Sequence, residues 1–335
     1  MLTGVSPLQH PKNQIILVGP TGPRMSNQSS SNYYCSEVRL PECSLVTIVA
    51  IGGGGGGAAG GTSTGGSGGG SGAMTTLTMP RVLLPHLIYC FVSIGGIGGV
   101  YNSTNPTHGG DTFISVISRN VTNNSPDAGA TIINAFGGSG GGNFSSPGAG
   151  GAVSTATSMT LGWLYSSNSI AGQSGSTGGN SSSGNTVTYP TTGLIVSGGA
   201  GGAGDGASTT GGTVQNFSGC PIGMSGSSTP AGTDGTNGGT LWPDFSLYSN
   251  IVTYGSLSLY NSMQIASLGD TTFSISGYPL MAVGGNGGGG KTGSVTGTNG
   301  GNGGLGSGGG GAGSGGTAGG NGGTGGSGLI IIVCH

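Results

Sequence analysis

One segment of the chain carries the residue types and spacing of a phosphate-binding loop. Residues 285–292 read GNGGGGKT and match G-x-x-x-x-G-K-[ST]. Phosphate binding by this loop needs a helix that begins at the lysine, because the N–H groups and dipole of its first turn hold the anion. The residues after Lys291-Thr292 read GSVTGTNGGNGG, which is not a helix-forming sequence. We therefore expect no nucleotide cofactor.

Other patterns with chemical potential are equally weak. Ser67 lies in a G-x-S-x-G pattern, but glycine surrounds most serines of this chain. Asp205 lies in GGAGDG, which resembles a calcium-binding repeat but occurs once. The four histidines are His10, His86, His108 and His335, and no two have the spacing of a metal-binding pair. The eight acidic residues form no recognisable acid–base pair. The sequence thus predicts no catalytic, cofactor-binding or metal site, and hence no enzyme.

The five cysteines are also scattered. They are Cys35, Cys43, Cys90, Cys220 and Cys334, and none belongs to a C-x-x-C pair. This spacing is typical of neither a zinc site nor a disulfide framework, so free thiols are expected. A bond between Cys35 and Cys43 across a hairpin remains an alternative.

Large aromatic side chains are the best candidates for a contact surface. Seven lie in two polar segments: Trp163, Tyr165, Trp242, Phe245, Tyr248, Tyr254 and Tyr260. Two interpretations are open for them. They either pack over the ends of glycine layers, where glycine offers no side chain, or stand in loops and contact a receptor glycan or a neighbouring subunit. Tyr and Trp suit such contacts because they supply a large area at low entropy cost.

Composition points to a structural protein. Glycine accounts for 84 of 335 residues, and charged residues for 4% against about 25% in average proteins. With a net charge of −2 and no basic stripe, the chain is not expected to bind nucleic acid. The N-terminal residues have neither the basic nor the apolar region of a secretory signal. Val82–Val100 is uncharged but contains Pro85, His86 and four glycines, so we expect no membrane span.

Short apolar segments that lead directly into glycine runs recur along the chain. Glycine-rich composition alone favours a flexible linker, whereas this alternation favours an ordered structure. Apolar runs of four to seven residues are typical of buried strands. Five runs lead into glycine, within 45–57, 87–99, 130–142, 193–204 and 278–290, and a sixth, 328–335, ends the chain. Gln14–Val18 is also predicted to be a strand. We expect an N-terminal docking or capping arm (1–44) and a glycine-rich body (45–335), with Ser/Thr-rich inserts at about 153–192 and 209–276.

The last glycine run shows a period of three. Side chains fall in one register at Asn299, Asn302, Leu305, Ser314 and Thr317; after Ala318 they shift by one position and continue at Asn321, Thr324 and Ser327. Ser307 and Ala312 lie outside this register, so the period is imperfect. Three residues per turn is the period of a polyproline-II-type helix, and glycine allows such helices to pack closely. The predicted fold is therefore all-β with polyglycine II: short β-strands alternate with packed glycine-rich helices of the polyproline-II type, and α-helix is almost absent.

Several of these segments resemble a known family. Leu40–Gly52 (LPECSLVTIVAIG) and Tyr89–Gly99 (YCFVSIGGIGG) are similar to strands of the glycine-rich domain found in phage tail-fibre adhesins and large-virus virion or capsid surface proteins. Gly110–Phe113 with Ala135–Gly138, and Gly328–Val333, resemble later strands of that domain. The resemblance covers about residues 38–335, although the two inserts depart from the family pattern. It implies polyglycine-II layers with binding loops between them.

A non-enzymatic virion structural or surface protein is the function that these features favour. The forms expected are a minor capsid, vertex, fibre or tail-tip adhesin, made in the host cytoplasm and located in the virion. Its partners would be other virion proteins (capsid, fibre or tail) and a host-surface receptor or glycan for host attachment. A homo-oligomer, such as a trimer, is compatible with this role. The alternative is a secreted or cell-surface glycine-rich protein of a wall or matrix.

Overall fold

Fourteen β-strands and one short 3₁₀ turn make up the regular structure of the described residues. The computed structural model describes residues 14–19, 33–118, 130–143, 145–153, 166–188, 194–205, 209–215, 229–238, 240–241, 250–254, 281–293 and 295–335. The strands are β1 (Gln14–Val18), β2 (Tyr33–Arg39), β3 (Leu45–Ile51), β4 (Met74–Pro80), β5 (Leu87–Ser93), β6 (Thr112–Ser115), β7 (Thr131–Ala135), β8 (Ser166–Ile170), β9 (Val187–Thr188), β10 (Val214–Gln215), β11 (Thr240–Leu241), β12 (Asn250–Tyr254), β13 (Met281–Ala282) and β14 (Leu329–Cys334). The 3₁₀ turn is Arg81–Leu83. The described chain is thus all-β with almost no helix.

Two antiparallel-dominated sheets pack face to face. The larger has the strand order β12-β1-β14-β3-β4-β8, and the smaller has the order β2-β5-β6-β7. Only the β1–β12 pair is parallel in these two sheets. Ile48 of β3, Ile88 of β5 and Ile332 of β14 belong to one buried cluster that takes side chains from both sheets. The pair of sheets is therefore a β-sandwich with its main core between them.

The central strands β1, β14 and β3 of the larger sheet are largely buried on both faces, which explains their continuously apolar sequences. In β14, Ile330, Ile332 and Cys334 face the core between the sheets. Leu329, Ile331 and Val333 face the opposite side, where they pack with residues 194–196 and Ala282. Alternate residues of a strand point to opposite faces, so a strand with two buried faces needs apolar residues at every position.

Strand positions agree well with the sequence-based expectations. β1 has the predicted bounds Gln14–Val18. Apolar runs in four of the five glycine-leading segments contain strands, namely β3, β5, β7 and β13, and the terminal segment contains β14. The described part of the remaining segment, residues 194–204, contains only an isolated bridge, Val196 to Ala282. Strands β1 and β2, from the segment expected to be an arm, pair with β14 and β5. The described part of residues 1–44 therefore belongs to the sandwich.

Glycine runs continue from the strand ends and bond to one another with a period of three. Along run 52–60, the N–H groups of residues 52, 55 and 58 donate to carbonyls of segment 67–73 at 2.8–3.0 Å. Those of residues 53 and 56 donate to segment 107–110, and those of 54, 57 and 60 to segment 320–326. Each third residue thus bonds to the same neighbouring segment.

Run 52–60 is surrounded by six such segments. Besides the three that accept its N–H groups, three others donate to its carbonyls: 96–99, 138–141 and 309–312. Run 306–315 likewise bonds to six neighbours. We call the whole assembly of laterally bonded runs the glycine bundle; it comprises 52–60, 65–73, 94–100, 106–110, 136–142, 147–152, 171–179, 184–188, 197–205, 209–214, 229–238, 283–290, 297–304, 306–315 and 319–327. These bonds satisfy backbone groups that lie outside any sheet.

Close approach between runs explains where glycine is required. A Cβ atom added to any of residues 52–57 would lie 2.0–2.7 Å from a backbone or side-chain atom of another run. Run 297–304 lies at the perimeter of the bundle, and there Asn299 and Asn302 occupy the one register that faces solvent. A run in the centre therefore needs glycine or a very small residue in all three registers. A perimeter run carries side chains in its outward register, and this is the origin of the period of three.

The predicted register across residues 299–317 combines two different runs. A turn at 305–306, where Gly306 has φ +64°, separates run 297–304 from run 306–315. Ser314 is buried in the centre of the bundle, whereas Asn299 and Asn302 are exposed at its perimeter. The shift after Ala318 has a physical cause, since residues 316–318 form the turn into the next run. The period of three holds in runs 297–304 and 319–327, but its continuation through Leu305 into run 306–315 was wrong.

Exposed asparagines cap the outward backbone of neighbouring runs. The side-chain carbonyl of Asn302 accepts the Thr324 N–H at 2.9 Å, and that of Asn299 accepts the Asn321 N–H at 3.0 Å. In the same way, Asn237 accepts the Asn302 N–H at 2.9 Å. An N–H that points outward from the bundle has no further run whose carbonyl could accept it. The side-chain oxygen of an asparagine in the adjacent run therefore accepts its hydrogen bond. We call these contacts the asparagine ladder.

Loss of one rung of the asparagine ladder should cost a measurable amount of stability. We expect Asn302→Ala to lower the free energy of unfolding by about 1 kcal/mol, the usual net value of one hydrogen bond. Urea unfolding monitored by tryptophan fluorescence measures it. Thr317→Ala, in an exposed turn of the same region, is the control and should change stability by less than about 0.5 kcal/mol. Equal effects of the two substitutions would count against a capping role for Asn302.

Candidate functional site

The phosphate-loop pattern lies inside the glycine bundle. Strand β13 precedes the pattern, and residues 285–291 continue the glycine run that follows this strand. Every N–H from Gly285 to Lys291 donates to a carbonyl of another run, at 2.9–3.1 Å. Lys291-Thr292 leads into a turn, in which Gly293 has φ +86°, and no helix begins there. These N–H groups are engaged by protein carbonyls and are not arranged around a phosphate.

Most of the predicted contact aromatics fall outside the described residues. This holds for Trp163, Tyr165, Trp242, Phe245, Tyr248 and Tyr260. Tyr254 is the last residue of β12, where its backbone pairs with Val18 at the edge of the larger sheet. The two interpretations of these aromatics, packing or contact, therefore remain predictions. Among the described aromatics, Phe91 stacks on Phe113 with ring centroids 4.5 Å apart, on the outer face of the smaller sheet.

Ionisable groups of the described residues do not assemble into a metal centre, since no group of three or more potential ligands occurs among them. His86 lies 3.5 Å from a carboxylate oxygen of Glu42 at an exposed position. Asp111 is largely buried, and burial raises its carboxyl pKa, while the N–H of Gly137 donates to its Oδ1 at 3.0 Å. This bond joins the segments Gly110–Phe113 and Ala135–Gly138. Asp111 thus has a structural contact between two glycine runs.

Four cysteines of the described chain are free thiols: Cys35, Cys43, Cys90 and Cys334. Cys220 lies outside the described residues. Cys35 and Cys43 are not joined by a disulfide. Cys35 of β2 pairs with Phe91 of β5, whereas the thiol of Cys43 interacts with that of Cys334. Burial, followed by the neighbouring Cys43, raises the pKa of Cys334 to about 12. These thiols stay protonated at neutral pH and are not activated nucleophiles.

The thiol of Cys35 should react slowly while the chain is folded. Burial, followed by the charge of Glu37, raises its pKa from 9.0 to about 11, which lowers its thiolate fraction about 100-fold at pH 8. We expect carbamidomethylation by iodoacetamide, followed by mass spectrometry, to be about 100-fold slower for Cys35 in the folded chain than in urea. Because the folded-state pKa is the higher one, this thiol stabilises the fold below about pH 9, and that contribution falls as pH rises towards 11. Equal alkylation rates in the two states would contradict the raised pKa.

A cleft opens at the end of the glycine bundle that lies away from the sandwich. We call this end the tip, because the runs that leave the strands turn back there, for example at residues 61–64 and 101–105. The cleft has a volume of about 610 Å³. Its floor is Ala58–Gly61, where the central run 52–60 ends, and its walls include Thr64, loop 100–106 and residues 141–143.

Loop 100–106 is held in a fixed conformation beside this floor. The N–H of Val100 donates to the Thr104 carbonyl at 2.9 Å, and the N–H of Thr104 donates back to Val100 at 3.2 Å. Asn102 has φ +51°, a left-handed conformation that asparagine tolerates better than most residues. The N–H of Tyr101 donates to Asn321 Oδ1 at 3.4 Å, which connects the loop to the asparagine ladder. The loop that borders the cleft is thus held by hydrogen bonds within the chain.

The polar groups of the cleft are neutral. No residue that lines it carries a formal charge, and its polar side chains are amides and hydroxyls, together with Tyr101. One backbone donor also lies in its floor. The N–H groups of residues 53 and 56 donate to the carbonyls of residues 110 and 107. The N–H of Ala59, which is next in this series of every third residue, has no hydrogen-bond partner among the described residues. The regular bonding of the bundle therefore stops at the cleft.

Sequence reasoning did not find this cleft. The available signal was the interruption of two glycine runs by YNSTNPTH, residues 101–108, in which Tyr and Asn replace glycine. That signal does not show which other turns lie next to the loop. Sequence comparison adds no relative, since neither models of known protein families nor curated proteins match the chain. The described residues contain no helix with the length and apolarity needed to cross a membrane.

Proposed function

We propose that the chain is a non-enzymatic virion structural or surface protein, in which a rigid glycine bundle displays contact loops. The observation that carries the proposal is the bonding of run 52–60 to six neighbours, which fixes the bundle in three dimensions. Several turns between the runs, such as 61–64 and 101–105, are presented together at the tip. A scaffold of this kind suits display better than chemistry.

The glycine runs are, in this proposal, polyglycine-II helices. The period of three in their hydrogen bonds and the short distances at the glycines support this conformation. A high-resolution crystal structure should show φ near −75° and ψ near +145° along runs 52–60 and 306–315, the values of polyproline II. Dihedral angles of α-helix or of paired β-strands in these runs would contradict it.

The virion assignment is supported by the resemblance of residues 38–335 to the glycine-rich domain of phage and large-virus proteins. In this role the sandwich would attach to capsid, fibre or tail proteins, as a single copy or as a homo-oligomer such as a trimer, while the tip faces a host receptor.

Quantitative mass spectrometry of purified virus particles tests the virion assignment. We expect the intact chain at a constant ratio to the major capsid protein, retained after a salt wash and cross-linked to a capsid, fibre or tail protein. A particle-free mock preparation is the control. Recovery of the chain only from the wall or matrix fraction of cells would contradict the proposal and favour the alternative of a glycine-rich wall protein.

A further inference from the structure

The cleft at the tip has the properties of a ligand site. We propose that it binds an uncharged saccharide unit, with Tyr101, Asn102 and Asn105 as the principal contacts. This goes beyond the proposed display role and does not depend on it, because the argument concerns the cleft alone. The same binding would occur whether the chain is carried by a virion or by a cell.

The neutral lining favours an uncharged ligand over a charged one. An anion such as phosphate or sialic acid is normally bound by Arg, Lys or a helix N-terminus, and a cation by carboxylates. Neither kind of group lines this cleft. Transfer of a charged ligand into a neutral cleft would cost hydration energy that no opposite charge offsets. A neutral ligand avoids this cost.

The hydrogen-bonding groups match a ligand rich in hydroxyls. Each asparagine amide offers two donors and an acceptor, and each Ser or Thr hydroxyl donates and accepts. The side chains of Asn102 and Asn105 have no hydrogen bond to another described residue, and the Ala59 N–H adds a fixed donor at the floor. Saccharide hydroxyls also donate and accept, so they are able to bond to all of these groups.

The apolar part of the lining suits the C–H face of a sugar ring. Tyr101 is half-buried, and Ala58, Ala59 and Pro106 also line the cleft. The C–H face of a sugar ring packs on such surfaces, as amphipathic groups do when an apolar body and polar edges share one site. A volume of about 610 Å³ lies within the usual range of about 300–1,000 Å³ for ligand sites.

Saturation-transfer NMR with the full chain tests the proposal. The probes are the methyl glycosides of glucose, galactose, mannose and N-acetylglucosamine, with N-acetylneuraminic acid as the charged comparison. We expect at least one neutral glycoside to bind with a dissociation constant of about 1 mM, and the charged sugar to bind at least about tenfold more weakly.

Substitutions of residues that line the cleft test whether the glycoside binds there. Tyr101→Ala and Asn105→Ala should each weaken the neutral glycoside at least about tenfold. Thr296→Ala, in a different exposed turn of the tip, should leave it unchanged. Thermal melting checks that each variant is folded, and a variant that fails this check is replaced by the other. The proposal is overturned if no neutral glycoside binds, if the charged sugar binds better, or if a folded variant binds as the wild type does.

Discussion

Replacing Gly57 by alanine is expected to destabilise the protein by at least about 3 kcal/mol. The added Cβ would lie 2.0 Å from the Gly310 carbonyl oxygen and 2.5 Å from its carbon, so run 306–315 would have to move away from run 52–60. Overpacking of this kind costs about 1–3 kcal/mol or more by itself. The displacement would also lengthen hydrogen bonds between these two runs, such as Gly309 N–H to the Gly55 carbonyl at 2.9 Å, each worth about 1 kcal/mol.

Urea unfolding of the purified variant measures this effect, and the control is Ala152→Ser. Ala152 lies exposed on perimeter run 147–152, where one additional atom meets solvent, so the control should change stability by less than about 0.5 kcal/mol. The comparison shows whether the loss of stability depends on the position of the added atom or only on its addition. If Gly57→Ala unfolds at the wild-type urea concentration, the runs are not packed as closely as described.

Strand positions could be predicted from the sequence because the apolar runs are short, rich in β-branched residues and bounded by glycine. Gln14–Val18 and the run before Gly52 are examples, and both are strands in the structure. Burial of both faces of the central strands in the larger sheet makes these apolar runs continuous, which strengthens the signal. The outward register of the perimeter runs was predictable for a similar reason, since only that register carries side chains such as Asn321 and Thr324.

The neighbours of each run could not be predicted. A glycine run offers the same backbone groups at every position, so any other run is an equally good partner for it. The choice is made by the strands and turns that the runs connect: β14 lies between β1 and β3, and run 319–327 therefore enters the bundle beside run 52–60. The cleft depends on this arrangement, because loop 100–106 and residues 141–143 are distant in sequence from its floor at Ala58–Gly61.

Replacing Ile332 by aspartate is expected to prevent folding of the entire described chain. Ile332 is 0% exposed, lies in the central strand β14 and is paired with Ile16 and Ile48 on the two neighbouring strands. An unpaired carboxylate in this core would cost several kcal/mol and remove the packing of the isoleucine as well. Together these losses approach the whole stability of a typical domain, about 5–15 kcal/mol.

The control for this substitution is Val82→Asp, because Val82 is 86% exposed in the 3₁₀ turn and should accept a carboxylate with little change in stability. Ile332→Ala supplies a measurable value where the aspartate variant does not fold, and we expect it to cost about 2–5 kcal/mol.

Amide hydrogen exchange of the Ile332→Ala variant then shows how far the destabilisation extends. Strand β14 continues from run 319–327, whose carbonyls bond to run 52–60, so loss of the strand removes a neighbour from the centre of the bundle. The glycine amides should therefore lose protection together with those of the sandwich, in one cooperative transition. Exchange that spares the bundle in Ile332→Ala would instead mean that glycine runs hold together without the strands that order them.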